Sequence, residues 1–582
     1  VKEFKDFKKV YSIDFEFYLD DNYLQVPVCM VAKEFKSGEE IRIWKDELNR
    51  LSECPIIFDE KTLMVSFFAT AELNCFKTLG WKFPVHLLDT YLEFKCLVNG
   101  FIQRISLLNV LNYLGLDSIE SSEKNELRDL ILSRGPWSER NKLDILDYCA
   151  SDVTALNKIL AKIIERINLP QALFRGETQK SSSEIECKGI PVNKKQFEEL
   201  KKDWGLIKET LIREVDKDYG VYENETFKIS NFKTYIKREG IAWPKTDKGN
   251  LKTDKDTFKQ LSKCHKKLEA LGQLRASLGG MRLFESLQVG EDSRARCMLS
   301  PFSAKTSRYQ PSTSRYLFGC SAWVRSLITP HQGMAIAYID WSQQEFGIGA
   351  ALSKDEEMMN AYLSSDPYLE FAKQAGKAPP NATKKTHKEI RSRFKECVLA
   401  TQYGMGAASL AMRIGCSELE AMDLLNLHRR TYSTFWNWSD SVMDCAMITS
   451  SIDTIFGWRL NVNWLTKEKT IRNFPMQANG AEMLRLACIY MMEKNIQVCA
   501  PVHDAVLIEA PIKDIDEIVL QAKNCMARAS GDILSGFELK SDVEIFNHPS
   551  HYQDERGTEM WSKVWQIIKK ENLSTSEDLD VH

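Results

Sequence analysis

No stretch of 18 or more consecutive apolar residues occurs in the chain, so a membrane-spanning helix is not expected. None of the 15 cysteines stands in a Cys-x-x-Cys pair, which argues against a zinc ribbon or a dithiol redox motif. Scattered cysteines such as Cys29, Cys54, Cys75, Cys96 and Cys149 fit reduced thiols in a cytosolic protein. The opening VKEFKDFKKVYSIDFEF is charged and has no apolar centre, unlike a secretory signal. There is no internal repeat and no low-complexity segment. Net charge is also nearly absent, at −3, so the total advertises no polyanionic partner.

What is present fits a soluble globular chain of several domains: 582 residues, 43% hydrophobic and 27% charged. Charge is uneven. Residues 191–282 hold 21 Lys and Arg against 14 Asp and Glu, a basic stretch that suits either a DNA contact or simple solubility. Residues 8–17 and 26–35, rich in β-branched and aromatic side chains, predict neighbouring strands. Apolar spacing over 125–170 predicts helices, completing an α/β domain of about 170 residues. Residues 180–290 predict helices exposed over much of their surface. From 335 a strand, MAIAYIDW, precedes helices and then two strands in IQVCAPVHDAVLIEAP. The polar tail from 569 is expected to fray.

Carboxylates at strand ends are the first chemical signal. Asp340 closes an apolar strand and, alone, reads as a helix N-cap. Asp504 lies between two apolar runs, at a hairpin tip where a carboxylate is ordinarily just solvated. As a pair they suit two-metal phosphoryl transfer, which needs hard oxygen ligands around two Mg²⁺ ions about 3.5–4 Å apart. Between them Arg391, Lys395, Leu399 and Tyr403 recur every fourth residue and share one helix face. Two cations suit a triphosphate, and the apolar and aromatic pair suits a base and sugar. An amphipathic helix with Leu399 and Tyr403 in the core would look the same. Asp14 and Glu16 share one face of a strand and repel unless a cation or solvent intervenes; a wet edge strand would also accommodate them. Tyr148 and Asp152 share one face of a helix.

These segments resemble the motifs of the DNA polymerase I family (family A). Its DYSQIE appears as Asp340-Trp341-Ser342-Gln343-Gln344-Glu345, its R-x₃-K-x₇-YG as Arg391, Lys395, Tyr403 and Gly404, and its HDE as His503-Asp504-Ala505. Thr306-Ser307-Arg308 resembles TGR, and NFPMQANGAEM a helix whose Asn473 and Gln477 touch template and primer. The resemblance is densest over residues 300–550. Asp14-x-Glu16 and Tyr148-x₃-Asp152 resemble the first and last motifs of DEDDy 3′→5′ exonucleases, with Glu72 in FFATAELNCF standing for the middle Asp and Asp89 as the other candidate.

The resemblance implies an α/β and α+β multidomain chain: a ribonuclease H-like exonuclease (1–170), then a right-hand polymerase (171–582). Its thumb would span about 185–295, its palm about 296–360 and 473–560, and its fingers about 361–472. It implies Asp340 and Asp504 as metal-holding catalytic residues, with Lys395 contacting phosphates and acting as acid toward pyrophosphate. Arg391, Leu399, Tyr403, Glu345, Gln343 and Tyr368 would bind the dNTP, with Glu345 and Tyr403 crowding the sugar 2′ position. Arg308, Asn473, Gln477 and His503 would contact DNA. Asp14, Glu16, Glu72 and Asp152 would hold the exonuclease metals, with Tyr148 positioning water. Primer–template DNA, dNTPs and Mg²⁺ (or Mn²⁺) are the implied partners, for a cytoplasmic monomer of phage type, lacking a 5′-nuclease domain. Two departures stand out: Ala505 replaces an acid, and Leu399 replaces Phe or Tyr. A single-subunit RNA polymerase would share the Asp pair, but Glu345 and the exonuclease motifs speak against it.

Overall fold

Alternation along the first strand sets up two opposed faces. In β1 (Lys9–Leu19), Tyr11, Ile13 and Phe15 enter one core beside Phe76 and Trp81. Val10 enters a second core, and period two carries Ser12, Asp14 and Glu16 on that same second face. β2 (Gln25–Glu34) and β3 (Glu40–Trp44) add as antiparallel neighbours, while β4 (Thr62–Ser66) and β5 (His86–Asp89) run parallel. The order β3-β2-β1-β4-β5 is ribonuclease H-like and makes β1 central, so Asp14 and Glu16 do not lie on an edge strand. A register shift between Glu16 and Phe17, just past the two acids, interrupts the pairing, which then resumes from Phe17↔Pro27 to Leu19↔Gln25. The computed structural model describes residues 2–102, 105–116, 121–246, 248–254, 257–258, 261–262, 265–312, 315–402 and 404–577.

Helices α1 (Thr70–Thr78), α2 (Thr90–Val98), α3 (Glu139–Ile163) and α4 (Leu169–Lys188) cover this sheet. The α4 helix corrects the expectation of exposed helices from 180. Thr178, Gln179, Lys180, Ser181, Ser182 and Ser183 are all buried. The three serines tolerate burial because their hydroxyls find partners nearby: Ser181 and Ser182 donate to the Thr178 carbonyl, and Ser183 to Asn74 Oδ1 at 2.6 Å. Gly176 lets α4 press against β5, since a Cβ there would lie 2.2 Å from the Leu87 carbonyl oxygen. The α4 helix runs unbroken through position 170.

A second sheet has the order β7-β8-β6-β9, built from β6 (Met334–Trp341), β7 (Gln497–Val502), β8 (Ala505–Pro511) and β9 (Ser541–Asn547). β7 and β8 form a hairpin whose two-residue tip is His503-Asp504. Around it lie α5 (Gln344–Ser353), α6 (Pro367–Gln374), α7 (Lys388–Gln402) and α8 (Glu468–Glu493).

The first sheet and most of the second belong to one compact unit, Val1–Lys188 with Leu299–Gln310 and Ala337–Ile545. The other unit comprises Gly189–Met298, Pro311–Ile336 and Phe546–His582 and is mainly helical. Its own cores include stacked Trp204 and Phe284, 4.2 Å apart, and a cluster around Phe232, Trp243 and Phe258. Lys201, Lys202, Lys233, Lys237 and Arg238 are exposed on it, and several neighbouring cations pair with acids, as Lys208 does with Glu225.

Candidate active sites

Strand β6 delivers Asp340 to the hairpin tip. The Trp341 N–H donates to the Asp504 carbonyl at 3.1 Å, so the residue following Asp340 is bonded to Asp504 although the two are 163 positions apart. Asp340 is half-buried, and burial together with Asp504, Asp542 and Glu544 raises its pKa to about 6. Asp504 is also raised, mainly by burial. Acids that oppose one another's ionisation are relieved by a cation, and an all-oxygen set suits a hard divalent ion. Asp542 and Glu544 come from β9, and sequence reasoning missed both. Ser342 Oγ donates to Asp542 Oδ2 at 2.5 Å, which ties β9 to the turn after Asp340.

That turn needs unusual backbone. Gln343 is left-handed (φ 48°) as the residue before α5, and His503, exposed at the hairpin tip, has φ 57°. Glu345, in the first turn of α5, accepts from Arg308 Nη2 at 2.7 Å, and both charges act on Asp504. Arg308 therefore joins the acid cluster.

Arg308 is held from behind. Arg485 of α8, fully buried, donates to the Ser307 carbonyl at 2.5 Å and to Ser307 Oγ at 3.0 Å, with its guanidinium 4.0 Å from the Phe302 ring centroid. Burial lowers its pKa to about 10. Lys95 of α2 donates to the Ser303 carbonyl at 2.7 Å, and Asn99 to that of Lys305 at 2.8 Å. Thus the loop bearing Arg308 is gripped by both the first and the second half of the chain. A buried bidentate pair, Arg175–Glu93 at 2.6 and 2.7 Å, lies in the same join, with Arg175 also donating to the Phe456 carbonyl.

On α7, Arg391, Lys395 and Leu399 are half-buried. Tyr403 lies outside the described residues. Arg391 Nε pairs with Asp366, the N-cap of α6. The Arg391 and Lys395 cations stand 5.5 and 5.9 Å from the buried Tyr368 ring. Asn473 and Gln477 sit one turn apart on α8, both half-buried.

In the first sheet, ligand atoms of Asp14, Glu16 and Cys149 lie within 4.8 Å of one another. The α3 helix supplies Tyr148, Cys149 and Asp152. The Tyr148 hydroxyl is pushed up in pKa by burial and then by Asp152, Glu16 and Asp14, so these groups share one field. Glu72, on α1, is 4% exposed; burial and then Asp14 push its carboxyl well above the usual range. Asp89 has a different task. Its oxygens accept from the Phe68, Ala69 and Tyr91 N–H groups, each at 2.9 Å, and from Gln179 at 2.5 Å. It clamps the left-handed Phe68 (φ 67°) and so fixes the start of the helix that carries Glu72.

Comparison with known proteins gives the same picture for the second half. Residues 317–546 match the model of DNA polymerase family A. A thermostable DNA polymerase I of Thermus caldophilus is 24% identical over 220 residues, 35% of this chain and 26% of that protein. The chain thus matches about a quarter of that relative's length. DNA polymerase I of Aquifex aeolicus is 22% identical over 69% of this chain and 74% of its own length. The DNA polymerase of Mycobacterium phage D29 is 23% identical over 68% and 66%. Among solved structures, the polymerase domain of Pol1 from M. smegmatis, in complex with DNA primer–template and dNTP, superposes with a TM-score of 0.69, covering 92% of this chain and 94% of that one at 18% identity. Residues 317–546 therefore resemble DNA polymerase family A, and the chain shares the fold of a solved Pol1 polymerase domain.

Proposed function

We propose that the chain is a template-directed DNA polymerase that adds dNMP to a primer 3′-OH and proofreads with a 3′→5′ exonuclease. The observation that carries the synthetic activity is the junction of Asp340 with Asp504, bonded through Trp341 N–H and surrounded by oxygen ligands. Asp340 and Asp504 would hold two Mg²⁺ ions, which when bound polarise the primer hydroxyl and neutralise phosphate charge. Lys395 and Arg391 orient the triphosphate, and Lys395 delivers a proton to the departing pyrophosphate. Glu345, fixed by Arg308, fills the space a ribose 2′-OH would need. Arg308, Asn473, Gln477 and His503 line the DNA side. On this reading 185–295 acts as thumb, 296–360 with 473–560 as palm, and 361–472 as fingers.

Asp14, Glu16, Glu72 and Asp152 would bind the exonuclease metals, and Tyr148 would orient the water. Asp89, saturated with hydrogen bonds, is assigned to scaffolding. A role in copying a phage genome fits the likeness to the phage D29 polymerase. Extension of a DNA primer with Mg²⁺ by wild type and Asp340→Asn tests the synthetic activity; equal rates would overturn it. Degradation of a mismatched primer by wild type and Asp14→Ala tests the other.

A further inference from the structure

We propose that the cluster on β1 and α3 is a mixed oxygen–sulfur metal site, in which Cys149 is a direct ligand for a thiophilic divalent ion such as Zn²⁺ or Cd²⁺. The inference deepens the exonuclease reading given above, by adding an ion class that two carboxylates alone would not select. Three observations carry it.

Cys149 Sγ lies 3.3 Å from Asp14 Oδ2, with Glu16 inside the same 4.8 Å group. Tetrahedral zinc with Zn–S near 2.3 Å and Zn–O near 2.0–2.2 Å sets its ligand atoms roughly 3.3–3.7 Å apart. The sulfur and the Asp14 oxygen already have that separation, and Glu16 lies no more than 4.8 Å from either. The second observation is independent of the trio: Glu72 is 4% exposed, its Oε2 has no hydrogen-bond partner, and its charge bears on Asp14. Glu72 lies outside the 4.8 Å group, so a side-chain shift toward Asp14 would bring this buried, unpartnered oxygen in as the fourth ligand. Third, the thiol belongs to the structure of the site rather than to its rim. Cys149 is buried between α3 and β1 and also reaches the Asp14 carbonyl at 3.4 Å, so no rotation of an exposed side chain is needed.

Ion choice follows from softness. Mg²⁺ demands an octahedron of oxygens and does not take a thiol, whereas thiolate ligands select zinc-like ions. On binding, the S–H bond breaks, its proton leaves to solvent and the sulfur lone pair forms the metal bond. A thiophilic ion held this way would keep Asp14 and Glu16 from Mg²⁺. The exonuclease would then be switched off by zinc-like ions, with the all-oxygen acids at Asp340 far less affected.

The test is a Cd²⁺ titration of the full chain, read by the thiolate-to-cadmium charge-transfer absorbance. Wild type should show a tight first equivalent that Cys149→Ser, Cys149→Ala and Asp14→Asn each weaken by at least about 10-fold, while Cys445→Ser, at an exposed thiol, leaves it in place. An unchanged first equivalent in both Cys149 variants would overturn the proposal, leaving Cys149 as a hydrogen-bond donor to Asp14. In parallel, micromolar Zn²⁺ should inhibit Mg²⁺-dependent primer degradation in wild type and not in Cys149→Ser. No degradation by any form, with the cadmium band intact, would remove the exonuclease reading and keep the metal site.

Discussion

Asp340 and Asp14 are both carboxylates delivered by a strand, yet their surroundings differ. Around Asp340 the nearby ligands are oxygens, from Asp504 at a hairpin tip and from Asp542 and Glu544, both exposed on β9. Around Asp14 the partners are Glu16, a fully enclosed Glu72 and a thiol. A hydrated ion can enter the first site keeping several waters, as Mg²⁺ prefers. In the second, burial makes each added charge costlier, and the donor set is chemically mixed. One chain thus places two acidic clusters in one compact unit and gives each its own donor set.

The strongest way to break this comparison is to remove one acid from each side. Asp340→Asn should cut primer extension by at least about 1,000-fold, roughly 4 kcal/mol in barrier, and leave primer degradation unchanged. Asp14→Ala should do the reverse. Single-turnover assays of both activities on both variants check this, and a variant that lost both would mean the sites are not separable. Glu93→Gln probes the join instead. It leaves the Arg175 guanidinium buried without its carboxylate, which typically costs about 3–5 kcal/mol. The denaturation midpoint should drop, and both activities should fall together.

How much of this was readable beforehand differs between the sites. The period-two placement of Asp14 and Glu16, the Tyr148–Asp152 helix turn and the hairpin tip at Asp504 follow from local spacing, and the structure has those elements. Cys149 did not stand out, because a lone cysteine in an apolar helix looks like core; only the crossing of α3 over β1 brings its sulfur to Asp14. Asp542 and Glu544 sit on a strand with no motif, and pairing of β9 beside β6 is a long-range event. Glu72 and Asp89 were indistinguishable until the left-handed Phe68 showed what Asp89 holds. Arg485 was equally silent: a buried arginine reads as an error in a sequence and as a clamp on Ser307 in the fold. The polar α4 misled because hydroxyls that bond back to their own helix pack like small apolar groups.

Acid should separate the two halves of the comparison. His428 is buried among Phe371, Tyr432, Phe435 and Trp436, and its Nδ1 accepts from Trp436 Nε1 at 3.2 Å. Burial lowers its pKa to about 3, against about 6.5 unfolded. The neutral ring is therefore kept in the fold, and stability present above pH 6.5 is lost as pH falls toward 3. At pH 5 the loss is about 2 kcal/mol. Polymerisation should fail before primer degradation on acid exposure. His428→Asn, which keeps an acceptor for Trp436, should flatten the stability profile between pH 6.5 and 5.

The smallest expected effect sharpens how the polymerase site reads sugar. Leu399 lies on the α7 face with Arg391 and Lys395, half-buried, and carries no polar atom. A dideoxynucleotide lacks the 3′-OH that would otherwise supply a hydrogen-bonding group near the triphosphate. A leucine offers no replacement, so wild type should discriminate strongly against it. Leu399→Tyr places a hydroxyl where that group is missing. One hydrogen bond to a charged acceptor is worth about 1.5–3 kcal/mol, so dideoxy incorporation relative to dNTP should rise by at least about tenfold. Competition between ddNTP and dNTP on one primer measures the ratio directly. Efficient termination by wild type, not increased in Leu399→Tyr, would mean that residue 399 does not face the sugar. The α7 face would then be a core stripe, and the polymerase site would rest on its carboxylates alone.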